Sequence, residues 1–333
     1  MYKILFMTSL MLGTLISISS YSWLGMWMGL EINLLSIIPL MNSKNLSLSS
    51  ESSLKYFITQ ALASSIMLFS IIMLSKKNPS LELLNNSLLM TMNSTLLVKM
   101  GAAPFHFWFP EIMEGLNWMN SFLILTWQKI APMTILMINM SSLKFMFCII
   151  ISSMIIGGIM GLNQISLRKI LAYSSINHIG WMISALLMKF NLLMIYFLVY
   201  SLLSMIIIYM FHQLSTSKIN QLIQNSSINE MYKFTFSVNF LSLGGLPPFI
   251  GFFPKWLVIN EMMNNNLILL TLLMVLLTLI TLFYYIRIIS SSLMFKIDQQ
   301  NLLHSKMNNM TYSMMNFINL SGLITIMYLF NFL

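Results

Sequence analysis

The chain has 333 residues, of which 58% are hydrophobic and only 8% charged, and 17 basic against 8 acidic side chains give it a formal charge of +9. A soluble domain carries roughly 25% charged residues, so this composition excludes a soluble fold, which would have too little polar surface to face water. At about 20 apolar residues per crossing, the length holds around a dozen membrane helices and no separate soluble domain.

In chain order, apolar runs predict about eleven spans, over 4–22, 24–42, 56–75, 87–110, 118–140, 144–162, 170–188, 191–212, 234–260, 266–294 and 313–332. The segments 43–55, 76–86, 163–169, 213–233 and 295–312 read as Ser/Asn/Lys-rich loops. The first run starts at Ile4 with no small-residue cleavage site after it, so it is expected to be a retained helix. Span four is interrupted at Lys99-Met100-Gly101-Ala102-Ala103-Pro104, and span nine at Gly244-Gly245-Leu246-Pro247-Pro248, followed by Gly251, Pro254 and Lys255. Proline removes a backbone donor and clashes with the preceding turn. Carbonyls freed this way inside a membrane must find partners in protein or water.

Paired interruptions in corresponding positions mark an inverted-repeat transporter. Spans one to five and six to ten each place the break in the fourth helix. The expected architecture is an all-α polytopic protein built from two inverted five-helix repeats, each with a broken fourth helix, plus a C-terminal helix. Its segments would be residues 1–140, 141–294 and 295–333 of one membrane domain. Basic residues favour one side: Lys3, Lys44, Lys55, Arg168, Lys169, Lys218, Lys233, Arg287, Lys296 and Lys306, against Lys76, Lys77, Lys144 and Lys189. This places the N-terminus on the side from which the chain inserts, and an odd number of crossings places the C-terminus opposite. The scattered cations suit membrane orientation and anionic lipid rather than nucleic acid. Abundant methionine, 34 residues, fits an A/T-rich gene read with a mitochondrial code. The single cysteine, Cys148, excludes a cysteine-ligated cluster or an internal disulfide within this chain.

Four ionisable residues stand out within apolar runs: Glu31, Lys99, Lys129 and Lys255. Such a group costs at least ~2.5–3.5 kcal/mol to place in the hydrocarbon, which makes it a functional candidate. Glu31 reads either as a neutral, hydrogen-bonded carboxyl or as the partner of a buried lysine; each lysine reads either as a snorkelling side chain or as a proton carrier. Burial disfavours an ammonium and a nearby carboxylate restores it, so a lysine can take up and release a proton as its partner moves. Arginine stays charged, and none lies mid-span. His178 shares a face with Ser174 and Trp181 and is either a structural histidine or a relay. His106, Glu111 and Glu114 cluster where span four ends, as interfacial residues or a proton portal. The four histidines are too scattered for a metal site.

Gly29-Leu30-Glu31-Ile32-Asn33, the run from Lys99 to Trp108, Leu125 to Pro132, Leu167 to Ile176 and Leu243 to Trp256 together resemble the antiporter-like membrane subunits of respiratory complex I in animal mitochondria. The resemblance covers nearly the whole chain. It implies a proton-translocating subunit of NADH:ubiquinone oxidoreductase, with no redox chemistry of its own and no bound cofactor. NADH, FMN, iron–sulfur clusters and ubiquinone would lie on other subunits. It carries the family's carboxylate onto Glu31, its paired lysine onto Lys99, its central lysine onto Lys129 and its exit-side lysine onto Lys255, with His178 as a relay candidate. It also implies the inner membrane with the N-terminus in the matrix and the C-terminus in the intermembrane space, neighbouring antiporter-like subunits, and phospholipid, cardiolipin included. The family's wider members begin with three further helices that this sequence does not match. Moving one charge against 100 mV takes roughly 2.3 kcal/mol, which two pKa units, at about 1.4 kcal/mol each, supply. A stand-alone cation/proton antiporter and a passive scaffold of the membrane arm are the competing readings.

Overall fold

The computed structural model describes residues 2–42, 47–76, 85–140, 142–226 and 230–294, together with helical positions 314, 316, 317 and 319–322. Side chains of 223–232 and 292–294 are outside that description, as are most of predicted span eleven and all of the loop 295–312. Among the described residues the only β-pairing is an isolated antiparallel bridge between Ser166 and Lys218.

The helices are α1 (Tyr2–Ser19), α2 (Trp23–Met41), α3 (Ser47–Ser75), α4 (Asn85–Met100), α5 (Trp108–Gly115), α6 (Trp118–Leu125), α7 (Trp127–Ile138), α8 (Leu143–Leu162), α9 (Leu167–Met188), α10 (Phe190–Leu214), α11 (Ile219–Ser226), α12 (Glu230–Gly244), α13 (Phe252–Asn264) and α14 (Ile268–Met294). Among the described residues, seven spans are long and apolar enough to cross a membrane: Trp23–Met41, Ser47–Ser75, Trp118–Ile138, Leu143–Leu162, Leu167–Met188, Phe190–Leu214 and Ile268–Ser291. Two further predicted spans are each divided, into α4 with α5 and α12 with α13.

Three boundaries differ from the sequence reading. The predicted loop 43–55 is helical from Ser47, because its serines stay compatible with a helix by donating to the carbonyl three residues back, as Ser50 does to Ser47 and Ser52 to Ser49. The predicted loop 213–233 contains α11. Span five is interrupted at Thr126, between α6 and α7. There Lys129 N bonds to Thr126 O at 3.1 Å, one residue short of the α-helical partner. Pro132, inside α7, leaves the Gln128 carbonyl without its usual donor.

The chain forms two compact units, Met1–Ser153 and Met154–Leu333. In the first, α1 lies against α2, α2 and α4 both lie against α3, and α4 lies against α7. Small residues let α1 and α2 approach closely: a Cβ on Gly29 would fall 2.6 Å from the Ser17 backbone nitrogen, and one on Gly13 would fall 2.4 Å from Asn33 Oδ1. Asn93 and Asn139 close a reciprocal buried pair, Asn93 Nδ2 to Asn139 O at 2.9 Å and Asn139 Nδ2 to Asn93 Oδ1 at 2.8 Å. In the second unit, α9 lies against α10, α13 and α14, and α10 lies against α12 and α13. Nearly all of α9 is buried. Gly157 seats α8 on it, since a Cβ there would be 2.8 Å from Tyr173 O and Asn177 N.

Candidate functional site

All three candidate lysines are buried, and all three sit beside a helix discontinuity. Lys99, 6% exposed, is in the last turn of α4; Lys129, 1% exposed, is in the first turn of α7; Lys255, 6% exposed, is in the first turn of α13. Gly and Pro announced two of these breaks in the sequence. The break before Lys129 carries no glycine, and only Pro132 hinted at it.

In the first break the backbone turns through Gly101 at φ +76°, a left-handed conformation that glycine adopts without Cβ strain. Several of its polar groups find partners within the protein. Gly101 N and Trp108 Nε1 both bond to Val98 O, at 3.0 and 3.1 Å, Ala102 N bonds to Leu97 O at 3.0 Å, and Ser152 Oγ reaches Ala103 O at 3.1 Å. The second break turns through Gly245 at φ +78°. Here the carbonyls at the end of α12 hold a charge: Lys255 Nζ donates to Gly244 O at 2.7 Å and to Leu243 O at 3.3 Å. The ammonium thus sits at the negative end of a helix dipole, with the Trp181 ring 6.0 Å from it. Gly245 is required for this packing, because a Cβ there would lie 2.7 Å from Lys255 Cδ and 2.8 Å from its Nζ. Lys129 Nζ stands 5.7 Å from the centroid of the Phe109 ring, a cation–π distance.

Glu31 is half-buried in α2, and its Oε2 has no hydrogen-bond partner in the protein. It makes no ion pair with Lys99. The ion pairs within 4.0 Å among the described residues are Lys55 with Glu51 and Glu111, and Lys189 with Glu261. The direct Glu31–Lys99 pair suggested by the sequence is not among them. The helices that carry the two residues both lie against α3.

His178, 4% exposed, has Nδ1 2.9 Å from the Tyr196 hydroxyl, and its ring centroid is 5.0 Å from that of Tyr200. Ser242, Leu243, Gly251 and Pro254 line a small cavity together with His178, Tyr196 and Tyr200, so the histidine faces the second break. His106 is buried beside the first break, with Nδ1 3.2 Å from Pro104 O, while Glu111 and Glu114 are exposed and Glu111 is paired to Lys55. The sequence reading passed over three polar residues inside spans three and five: Tyr56, Gln60 and Gln128. Tyr56 donates to Gln128 Oε1 at 3.3 Å, and Nε2 of both Gln60 and Gln128 is buried without a partner. Their signal was polarity within otherwise apolar runs.

The two breaks are local copies in sequence and backbone. Gly101, Pro104, Phe105, Phe109 and Pro110 correspond to Gly245, Pro248, Phe249, Phe253 and Pro254, every pair separated by the same number of positions. The same spacing relates Gly13 to Gly157, Asn33 to Asn177 and Tyr56 to Tyr200. Charges do not follow it. Lys99 corresponds to Leu243, whose carbonyl receives the Lys255 ammonium, and Lys255 corresponds to Glu111.

Apolar helices long enough to cross a membrane, with buried lysines set at helix breaks, define a polytopic membrane protein. The model of the NADH:quinone oxidoreductase/Mrp antiporter transmembrane family matches residues 20–281. The chain is 51% identical to NADH-ubiquinone oxidoreductase chain 2 of Anopheles gambiae over 97% of this chain and 96% of that one. It is 53% identical to the same chain of Aedes aegypti over 98% and 97% respectively. A chain of respiratory complex I from Thermus thermophilus shares the fold, with a TM-score of 0.84 at 22% identity, covering 97% of this chain and 76% of that one. This chain belongs to the NADH-ubiquinone oxidoreductase chain 2 family, within the NADH:quinone oxidoreductase/Mrp antiporter transmembrane proteins.

Proposed function

We propose that this chain is a proton-translocating membrane subunit of mitochondrial NADH:ubiquinone oxidoreductase, coupling electron transfer carried out on other subunits to proton movement across the inner membrane. The observation that carries this reading is the coincidence of near-full-length identity to named chain 2 relatives with three buried lysines, each at a helix break. Ubiquinone, NADH, FMN and iron–sulfur clusters belong to the partners, and this chain sits in the membrane arm beside other antiporter-like subunits and phospholipid, including cardiolipin.

Glu31, Lys99 and Lys129 act in the first unit, and Lys255 with His178 in the second. A charge or conformational signal from a neighbouring subunit changes the field of Glu31 at Lys99. Lys99 then gains or loses its proton, and Lys129 follows. Lys255 holds its proton against the α12 carbonyls, and movement of α13 relative to α12 withdraws those acceptors and releases it. His178 and its tyrosines are placed to relay at that break. The constant spacing between the halves supports two five-helix repeats, residues 1–140 and 141–294, followed by a terminal helix. An odd number of helices in each repeat inverts the second, giving about eleven crossings. Charge asymmetry supports a matrix N-terminus and an intermembrane-space C-terminus.

The test is Lys129→Met in the assembled complex, with NADH-driven quinone reduction and proton uptake measured together. Loss of coupled turnover with assembly intact is the expected result. Wild-type turnover and proton stoichiometry in an assembled Lys129→Met complex would refute the relay.

A further inference from the structure

The Glu31 carboxylate and the Lys99 ammonium do not form an ion pair, and α3 lies against the helices that carry both. Which residue of α3 stands between them follows from helix registers. Trp27 Nε1 donates to Ser64 O at 3.0 Å, tying α2 to α3 at those two positions. The two helices follow one another through a short connection and run antiparallel, so one turn onward from Trp27 brings Glu31 level with the residue one turn back from Ser64. That residue is Gln60.

Lys99 is in the last turn of α4, which also lies against α3. Gln60 is 3% exposed, on the buried face of α3 that also carries Tyr56 and Ser64. Its Nε2 has no hydrogen-bond partner in the protein, and neither has Glu31 Oε2. A buried donor left unsatisfied costs about 1–3 kcal/mol. A helix that places an unsatisfied donor level with an unsatisfied carboxylate oxygen brings together two groups that complete each other. An amide is also the neutral side chain that can serve both ions at once, donating through nitrogen and accepting through oxygen.

We propose that the Gln60 amide couples Glu31 to Lys99, donating through Nε2 toward the carboxylate and accepting through Oε1 from the ammonium, each contact made through one ordered water. Gln60 is thus a positioning residue that transmits the state of Glu31 to the first lysine. One turn away, Tyr56 holds Gln128, the residue next to Lys129, so α3 continues the polar path toward the second lysine. The inference rests on the proton-pumping reading above.

The experiment uses the assembled complex carrying Gln60→Met, which keeps the length of the side chain and removes both hydrogen-bonding functions. Coupled turnover should fall about ten- to hundredfold, the loss expected for one hydrogen bond to a charged group. In a Glu31→Gln background the same substitution should change turnover by less than about twofold, because residues that act through one another are non-additive. A role in packing alone predicts that the two losses multiply, and that result overturns the proposal, as does full turnover in Gln60→Met. An experimental structure of the wild-type complex with resolved waters gives a readout independent of variant assembly. Gln60 Nε2 joined to Glu31 through one water supports the coupling, and separation by dry packing rejects it. If Glu31→Gln alone leaves coupled turnover intact, the pumping site itself is misassigned. If Glu31→Gln slows turnover and Gln60→Met does not, only the bridge fails.

Discussion

Replacing Gly245 with alanine isolates what the second helix break contributes. Gly245 has φ +78° and Gly101 has φ +76°, so an alanine at either position meets the same left-handed strain, about 1–2 kcal/mol. What the new Cβ touches differs. At Gly101 it meets the Phe109 side chain at 3.2–3.3 Å, while at Gly245 it meets Lys255 Cδ at 2.7 Å and Nζ at 2.8 Å. The lysine end is flexible and will move, but it then leaves the Gly244 and Leu243 carbonyls that it holds at 2.7 and 3.3 Å. A hydrogen bond from a charged donor is worth about 1.5–3 kcal/mol, which converts to roughly ten- to hundredfold in rate or occupancy. Gly245→Ala should therefore assemble about as well as Gly101→Ala, because their backbone strain is matched, yet lose coupled proton transport by about tenfold more. The assay is NADH-driven acidification in sealed membrane vesicles, normalised to the amount of assembled complex. Equal defects in the two variants would show that strain alone matters and that the Lys255–carbonyl contact has no part in turnover.

Phe109→Leu removes the ring that faces the Lys129 ammonium at 5.7 Å. A buried cation–π contact of about 2 kcal/mol predicts reduced but measurable coupled turnover, milder than in Lys129→Met. Asn93→Leu leaves the Asn139 side chain and carbonyl without their partner, so the complex should lose thermal stability by about 1–3 kcal/mol, read as earlier dissociation on heating with turnover per intact complex unchanged. Lys189→Ala removes an exposed ion pair of 2.8 Å to Glu261; such pairs contribute about 0–1 kcal/mol, so assembly and turnover should both match wild type within error.

The amino-acid sequence alone determined that this is a membrane protein. With so few charged residues, the hydrocarbon is the only solvent in which its apolar runs are satisfied. It determined the two breaks as well, because Gly101 and Gly245 stand where the backbone needs positive φ, and Pro104 and Pro248 follow each at the same spacing. It singled out Lys99, Lys129 and Lys255, since an ionisable group in an apolar run is costly wherever the chain folds. Partners across helices were not legible, because they depend on rotation and register between segments distant in sequence. Only the tertiary structure seated Lys255 on the α12 carbonyls, set Phe109 against Lys129 and brought Tyr196 to His178. Only helix packing placed α3 against the helices of both Glu31 and Lys99, which turned Gln60 from one polar residue in an apolar run into the candidate link between them. A periodic pattern fixes which face of a helix is buried, whereas the neighbour it meets is decided by how all the helices pack at once.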